Sequence, residues 1–590
     1  MTEATAPRLD TRTQSAVPTI HYHVAMPQPE THLFEVTLHL TNYTLPILDL
    51  KLPVWTPGSY LVREYAKQLQ DFTANSFQES LQARKVSKNH WQVETKGVSE
   101  LTLTYRIFAN ELTVRTNHLD ASHGYFNGAA LFFRIPGWEK QPIRVTIVPP
   151  YPEWQITTAL PATEQANTFL AVDFDTLVDS PFEIGCHQLY HFEVLGKPHE
   201  LAIWGQGNFQ AQRMISDITK IVEVEAQMFG GLPYDRYVFL LHLFSQAYGG
   251  LEHKNCCSLI YQRFGFRAQD KYDRFMQLVA HEFFHLWNVK RIRPKALEVF
   301  DYDAENYTPS LWFCEGTTSY YDLLIPLRAG IYDATTFLSN LSKEISRYEN
   351  TPGRKVQPLS ESSFDAWIKL YRQDTNSANS QISYYLKGEM VSLLLDLLIR
   401  SKHKNQTSLN DVMLKMWQQF GKDEIGFLPE QLQEVIESVA KINLADFFAR
   451  YIDGTEDLPF NEYLEPFGLE LVTESEEEPY LGVKASTENG REIIKFVEAG
   501  SPAQIAGIDP GDDILAIDGI KVTASGLSER LKDYQPGDVI QVTLFHQDEL
   551  RTYPVTLASP NPTKYQVKPV AHPNSMQQEN LAGWLGTSLS

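Results

Sequence analysis

Cysteine is scarce in this chain: there are four in 590 residues, Cys186, Cys256, Cys257 and Cys314, and two of them are adjacent. That supply cannot staple a chain of this size, so a disulfide scaffold is excluded and a reducing compartment is expected. Long apolar runs are also lacking, and none approaches the roughly 20 residues that a bilayer-crossing helix needs. The opening residues have no basic head followed by an apolar stretch, which argues against a secretory signal and predicts a cytoplasmic protein. Basic charge is in deficit, since 51 Lys and Arg against 73 Asp and Glu leave −22, spread along the chain. Such a field repels phosphate and excludes nucleic acid and anionic membrane as partners.

What remains is ordinary globular composition, 43% hydrophobic and 21% charged, at a length that needs several cores. No internal repeat is present. Residues 17–205 read as short strands: Phe34, Val36, Leu38 and Leu40 alternate with Glu35, Thr37 and His39, which suggests a β-sandwich domain. Near Gln210 the period changes, and Met214, Ile218, Ile221 and Val222 fall on one helical face. They open an α+β domain over residues 206–455, with strand-like pieces around Gly249-Gly250 and helices thereafter. Residues 456–479 are acidic and contain proline, and read as a linker with room for a short strand or helix. Strands return over residues 480–560. Residues 1–16 and the tail at 561–590 read as loose ends without chemistry.

The chemistry concentrates in KYDRFMQLVAHEFFHLWNVKR, residues 271–291. Phe275, Leu278, Val279 and Phe283 make an apolar helical stripe, and His281 and His285 stand one turn apart, so both imidazoles can grip one Zn²⁺. Glu282 falls where a carboxylate can hold an attacking water and take its proton. A catalytic zinc needs a third protein ligand, and Glu315, in the apolar segment LWFCEGTTSYYDLL, is the candidate, because a carboxylate among such neighbours is costly unless it meets a cation. Asn288 and Asp322 are both candidates to orient the imidazoles. Lys290, Arg291 and Arg293 follow the zinc helix as either a solvated helix end or a seat for a short peptide's carboxylate.

HEFFHLWNVKRIRP followed by LWFCEGTTSYY resembles the glycyl aminopeptidase family of zinc peptidases, gluzincins related to aminopeptidase N. Tyr248-Gly249-Gly250-Leu251-Glu252-His253 is similar to the Gly-x-Met-Glu-Asn motif of that group, in which an edge strand holds the substrate and the glutamate binds its free amino group. The resemblance therefore implies that Glu252, Gly249 and Gly250 bind substrate, with His253 departing from the pattern. Tyr385-Leu386-Lys387-Gly388 is similar to the group's Tyr-x-Lys-Gly segment, which makes Tyr385, rather than its neighbour Tyr384, the oxyanion donor. Trp55-Thr56-Pro57-Gly58-Ser59-Tyr60 with Arg63, and residues 118–132, resemble the family's amino-terminal β domain. His118, Asp120 and His123 lie in that second stretch, which reads as a Gly- and Asn-rich loop, not as a metal site.

Residues 480–560 resemble a PDZ domain, with Tyr480-Leu481-Gly482-Val483 in the place of its carboxylate-binding loop. The resemblance implies a groove for peptide carboxy-termini. The expected protein is multidomain α+β: an amino-terminal β-sandwich, a thermolysin-like catalytic domain with a helical lower half, and a carboxy-terminal PDZ domain. The expected activity is removal of a small residue, Gly or Ala, from peptides with a free amino-terminus, with one zinc per chain. The alternatives are a zinc endopeptidase, which has no use for Glu252, and a PDZ-bearing peptide-binding or chaperone-like protein with a vestigial zinc site.

Overall fold

The computed structural model describes residues 19–587 apart from 78, 96 and 477, and the loose segment expected at residues 1–16 lies outside them. The chain forms two units. The first runs to residue 189 and takes in 202–204 and 302–304; the second comprises 190–201, 205–301 and 305 onward.

In the first unit the alternating residues Phe34, Val36, Leu38 and Leu40 are buried along strand β2 (Leu33–Thr41). It pairs antiparallel with β1 (Thr19–Ala25) and β3 (Leu101–Phe108) in a seven-stranded sheet. A four-stranded sheet contains β4 (His118–Leu119) and β5 (His123–Phe126). The Phe126 and Phe34 rings meet across the two sheets at 5.6 Å, which is the packing of a sandwich. Residues 118–126 are therefore a buried hairpin rather than the expected loop. Asp120 ties it: its Oδ1 accepts the backbone N–H groups of Ser122 at 2.7 Å and His123 at 3.1 Å, and His123 stacks on Trp204 at 3.7 Å. Of the residues that suggested a loop, Gly124 lies within the strand and Asn127 caps the short helix that follows, accepting from the N–H of Ala129 at 3.0 Å.

The second unit opens with helix α1 (Ala211–Phe229), whose buried face carries Met214, Ile218, Ile221 and Val222. Strands β6 (Tyr237–Phe244) and β8 (Cys256–Gln262) run parallel, and β7 (Tyr248–Glu252) pairs antiparallel with β8 at the sheet edge. Helix α2 (Gln269–Phe284) packs on this sheet through Phe275, 5.1 Å from Tyr261, and Phe283, 5.9 Å from Phe239. Next come α3 (Thr317–Arg328), α4 (Ala334–Glu349) and α5 (Tyr384–His403). Phe284 of α2 stacks on Tyr321 of α3 at 4.8 Å.

The supposed linker and the supposed loose tail belong together. Strand β9 (Leu469–Ser475) pairs antiparallel with β11 (Pro562–Pro569). The hydroxyls of Ser346 and Ser342 on α4 accept the N–H groups of Tyr565 and Val567, each at 2.9 Å. Helix α7 (Ser575–Leu585) follows, and its Trp584 is buried with the indole N–H donating to Tyr320 at 2.9 Å. Burial of an indole and satisfaction of the strand's amides outweigh the entropy of ordering this end. Between these two strands, β10 (Val483–Glu488) and short helix α6 (Leu527–Leu531) belong to a β module cored by Ile494, Ile514, Ile540, Val542 and Leu544.

Candidate active site

Helix α2 ends at Phe284, and His285 continues it for one residue in helical conformation at φ −61°, ψ −19°. The His281 and His285 rings are 4.6 Å apart. His281 Nδ1 bonds Asp322 at 2.8 Å, and His285 Nδ1 bonds the carbonyl of Asn288 at 2.7 Å. A carbonyl only accepts, so His285 donates through Nδ1 and turns Nε2 towards the site; the carboxylate of Asp322 orients His281 in the same way. Both Nε2 atoms face one oxygen of Glu315, at 3.5 and 3.1 Å. Of the two residues considered for orienting the imidazoles, both act, Asp322 through its side chain and Asn288 through its backbone. The turn that folds Asn288 back places Val289 at φ +102°, a conformation that costs a β-branched residue about 1–3 kcal/mol.

Glu315 sits in a π-helical turn, Trp312–Gly316, just before α3. A Cβ on Gly316 would lie 2.5 Å from the Cα of Gly388, and one on Gly388 would lie 2.7 Å from the carbonyl of Trp312. The two backbones thus touch where any side chain would hold them apart. This crossing sets Glu315, beside Gly316, against Tyr385, one turn before Gly388. The Asn288 amide reaches the carbonyls of Phe313 and Cys314 at 2.9 and 3.1 Å and fixes the same turn from the other side.

Glu282 is 5% exposed, and among the described residues its Oε2 has no hydrogen-bond partner. Burial pushes its carboxyl up to about 7, the charges of Glu252 and Glu315 adding to what His281 and His285 offset. For Glu315 burial also opposes ionisation, but His285 and His281 hold it at about 2. Glu252, at the end of β7, is 4% exposed and its Oε1 is likewise buried without a partner. Gly250 lies against Glu282: a Cβ there would sit 2.2 Å from its carboxyl carbon. Gly249, at φ +150°, has open space beside it. His253 closes the hairpin, its N–H donating to Cys256 at 3.0 Å.

Tyr371 bonds the hydroxyls of both Tyr384 and Tyr385, each at 3.1 Å. Tyr384 is fully buried. Tyr385 instead lines a 1020 Å³ cleft with Tyr248, Arg274 and Asp322, its ring 6.3 Å from that of His281. Burial, then the Glu315 charge, raises the Tyr385 phenol well above its usual value, so it is an O–H donor at neutral pH. Sequence reasoning missed Tyr371 and Arg274; neither belongs to a motif, and only the helical spacing of Arg274 from His281 hinted at its place.

Lys290, Arg291 and Arg293 are neither a solvated end nor a peptide seat. All three are buried. Arg291 donates to the carbonyls of Leu286 and Lys254 at 2.9 and 3.0 Å, and Arg293 to that of Leu297 at 3.5 Å. Arg291 thereby ties the chain just past α2 to the loop that follows β7.

In the β module Tyr480 exchanges two backbone bonds with Ala558, at 2.9 and 3.0 Å, and Gly482 adopts φ +86°. Leu481 is buried in the module's core. Residues Tyr480, Leu481, Gly482 and Val483 border a 730 Å³ groove with Phe496, Leu527 and Leu531.

Three family models match this chain: Peptidase M61 N-terminal domain over residues 21–186, M61 glycyl aminopeptidase over 274–391, and PDZ domain over 479–557. No curated protein matches it. Among solved structures, an aminopeptidase N family protein from Idiomarina loihiensis is 32% identical with a TM-score of 0.91, covering 96% of this chain and 100% of its own. An M1 zinc metallopeptidase from Deinococcus radiodurans is 14% identical with a TM-score of 0.48, over 75% of this chain and 96% of its own.

Proposed function

The chain belongs to the M61 glycyl aminopeptidase family and carries a PDZ domain, and from that premise we propose that it is a zinc aminopeptidase that removes a small amino-terminal residue, Gly or Ala, from peptides. His281, His285 and Glu315 would hold one zinc ion. The donor set fits, since two imidazole Nε2 atoms converge on one buried carboxylate. When bound, the ion supplies Lewis acidity and lowers the pKa of an attacking water.

The remaining roles belong to the protein. Strand β7 lies at the sheet edge, and a substrate lies along it as an added strand. Glu252 receives the terminal ammonium. Glu282, poised near neutrality, takes a proton from the attacking water and gives it to the leaving amine. Tyr385 donates its O–H to the oxygen on which charge develops. The observation that carries the exopeptidase reading is Glu252, whose buried, unpartnered Oε1 is costly unless an ammonium meets it; an internal amide offers no such charge. The groove beside residues 480–483 would receive peptide carboxy-termini. Among the described residues no helix is long and apolar enough to cross a membrane.

The test is metal content alongside hydrolysis of Gly- and Ala-anilides, each repeated with the amino group acetylated and with Glu282→Gln. One zinc per chain, with cleavage abolished by acetylation and by the substitution, is the expected result. Cleavage of blocked substrates would instead mean an endopeptidase, and an inactive, zinc-free protein would favour a peptide-binding role.

A further inference from the structure

Arg274, Gln277 and His281 share one face of α2, three and four residues apart. Arg274 is exposed and lines the 1020 Å³ cleft that also contains Tyr248, Asp322 and Tyr385. The cleft adjoins the catalytic residues, because Asp322 is the residue that bonds His281. Of the other cations in it, Arg347 pairs with Glu344, while Lys343 donates to the neutral Asn340 at 3.0 Å and keeps its charge. The Arg274 guanidinium instead stands over the Tyr248 ring, 4.2 Å from its centroid. Among the described residues no carboxylate is in ion-pair contact with it. A ring face steadies a guanidinium without neutralising it, so the fork remains available to a carboxylate.

Tyr248 is also the first residue of β7, which sets a register. A substrate whose ammonium meets Glu252 has its cleaved bond beside Gly250, against Glu282. Two residues further along the strand, about 7 Å, lies Tyr248. A chain extending two residues past the cleaved bond therefore ends beside the Tyr248 ring and the guanidinium above it.

We infer that Arg274 receives the carboxy-terminal carboxylate of a short peptide, so that the enzyme favours tripeptides with both ends free. This rests on the aminopeptidase reading above, and places at Arg274 the carboxylate seat that the buried Lys290, Arg291 and Arg293 do not supply. A bidentate pair between a guanidinium and a carboxylate, partly screened in an open cleft, gives about a tenfold preference for the charged end.

The test uses the full-length, zinc-loaded protein with Gly-Ala, Gly-Ala-Ala and Gly-Ala-Ala-Ala, each as free acid and as carboxy-terminal amide. For wild type the ratio of kcat/KM between acid and amide should peak at the tripeptide, near tenfold and mainly through KM. In Arg274→Gln that ratio should fall to about one, and Arg274→Lys should restore part of it. A wild-type ratio near one at every length overturns the proposal, as does an unchanged tripeptide ratio in Arg274→Gln. If neither acid nor amide is cleaved by wild type, the aminopeptidase reading itself has failed.

Discussion

Gly250→Ala isolates the general base from the rest of the molecule. The added Cβ would stand 2.2 Å from both the carboxyl carbon and Oε1 of Glu282, against an ordinary contact of about 3.4 Å or more. Because the obstructing atoms are the far end of a flexible side chain, the backbone need not move; Glu282 must swing by about 1 Å. A displacement of that size at a reacting group costs about 100-fold in rate. Gly250 lies outside the positive-φ set, so alanine brings no backbone strain and stiffens the unfolded chain slightly, by less than about 1 kcal/mol. The expected variant therefore folds, keeps its metal and melts within about 2 °C of wild type, while kcat on Gly-anilide falls about 100-fold. Gly249→Ala is the counterpart: it meets nothing within 4 Å but must hold φ +150°, so it should lower stability more than it affects the base. A kcat for Gly250→Ala within threefold of wild type would refute the placement of Glu282 as the base beside this strand.

Tyr385→Phe should lower kcat by about 100- to 1000-fold with little change in KM, the signature of a donor to developing charge; a loss confined to Tyr384→Phe would reverse the assignment. Asp322→Asn leaves His281 without its carboxylate and should weaken zinc about 10- to 100-fold, read by competition with a chelator; unaltered affinity would leave Asp322 without that role. Lys387 is held by burial at about 8, below its unfolded value of about 10.4, so the unfolded chain binds more protons between those limits and stability rises with pH across them. Lys387→Met should accordingly stabilise the protein most below pH 8, by up to about 3 kcal/mol, with the gain shrinking towards pH 10. Calorimetry that finds the same gain at pH 7 and pH 9.5 would contradict this.

The pairing of His281 with His285 was legible because the helical period is short and the apolar stripe fixes its phase. Glu315 was legible as a carboxylate set among apolar neighbours, and Tyr385 only through its motif, since nothing in their local spacing tells that two helices cross between them. Lys290, Arg291 and Arg293 were misread because three charges within four residues suggest solvent, whereas here a chain reversal leaves carbonyls that guanidinium groups can fill. The tail was misread for the opposite reason. Trp584 and Leu585 stand in a short stretch between polar ends, and their value is apparent only once Tyr320 and the β9–β11 pair supply a surface. The hairpin at residues 118–126 is set by Asp120 holding two backbone amides, a local bond that composition does not announce.

The crossing at Gly316 and Gly388 explains why the two motifs are built as they are. In the proposed roles Glu315 and Tyr385 must face the same oxygen atoms of the substrate, yet they lie on different elements, 70 positions apart in the chain. Helices usually pack with axes 8–10 Å apart because side chains stand between them. Here both contact positions are glycine: a Cβ on Gly316 would lie 2.5 Å from the Cα of Gly388, and one on Gly388 would lie 3.0 Å from the Cα of Gly316. Close approach of this kind leaves no slack, so Glu315 and Tyr385 are fixed relative to each other by main chain rather than by rotamers. The π-helical turn at Trp312–Gly316 re-aims Glu315 out of the ordinary helical register and towards the two histidines. The Glu-Gly of one segment and the Tyr-x-x-Gly of the other are thus one device, in which each glycine serves the functional side chain beside it.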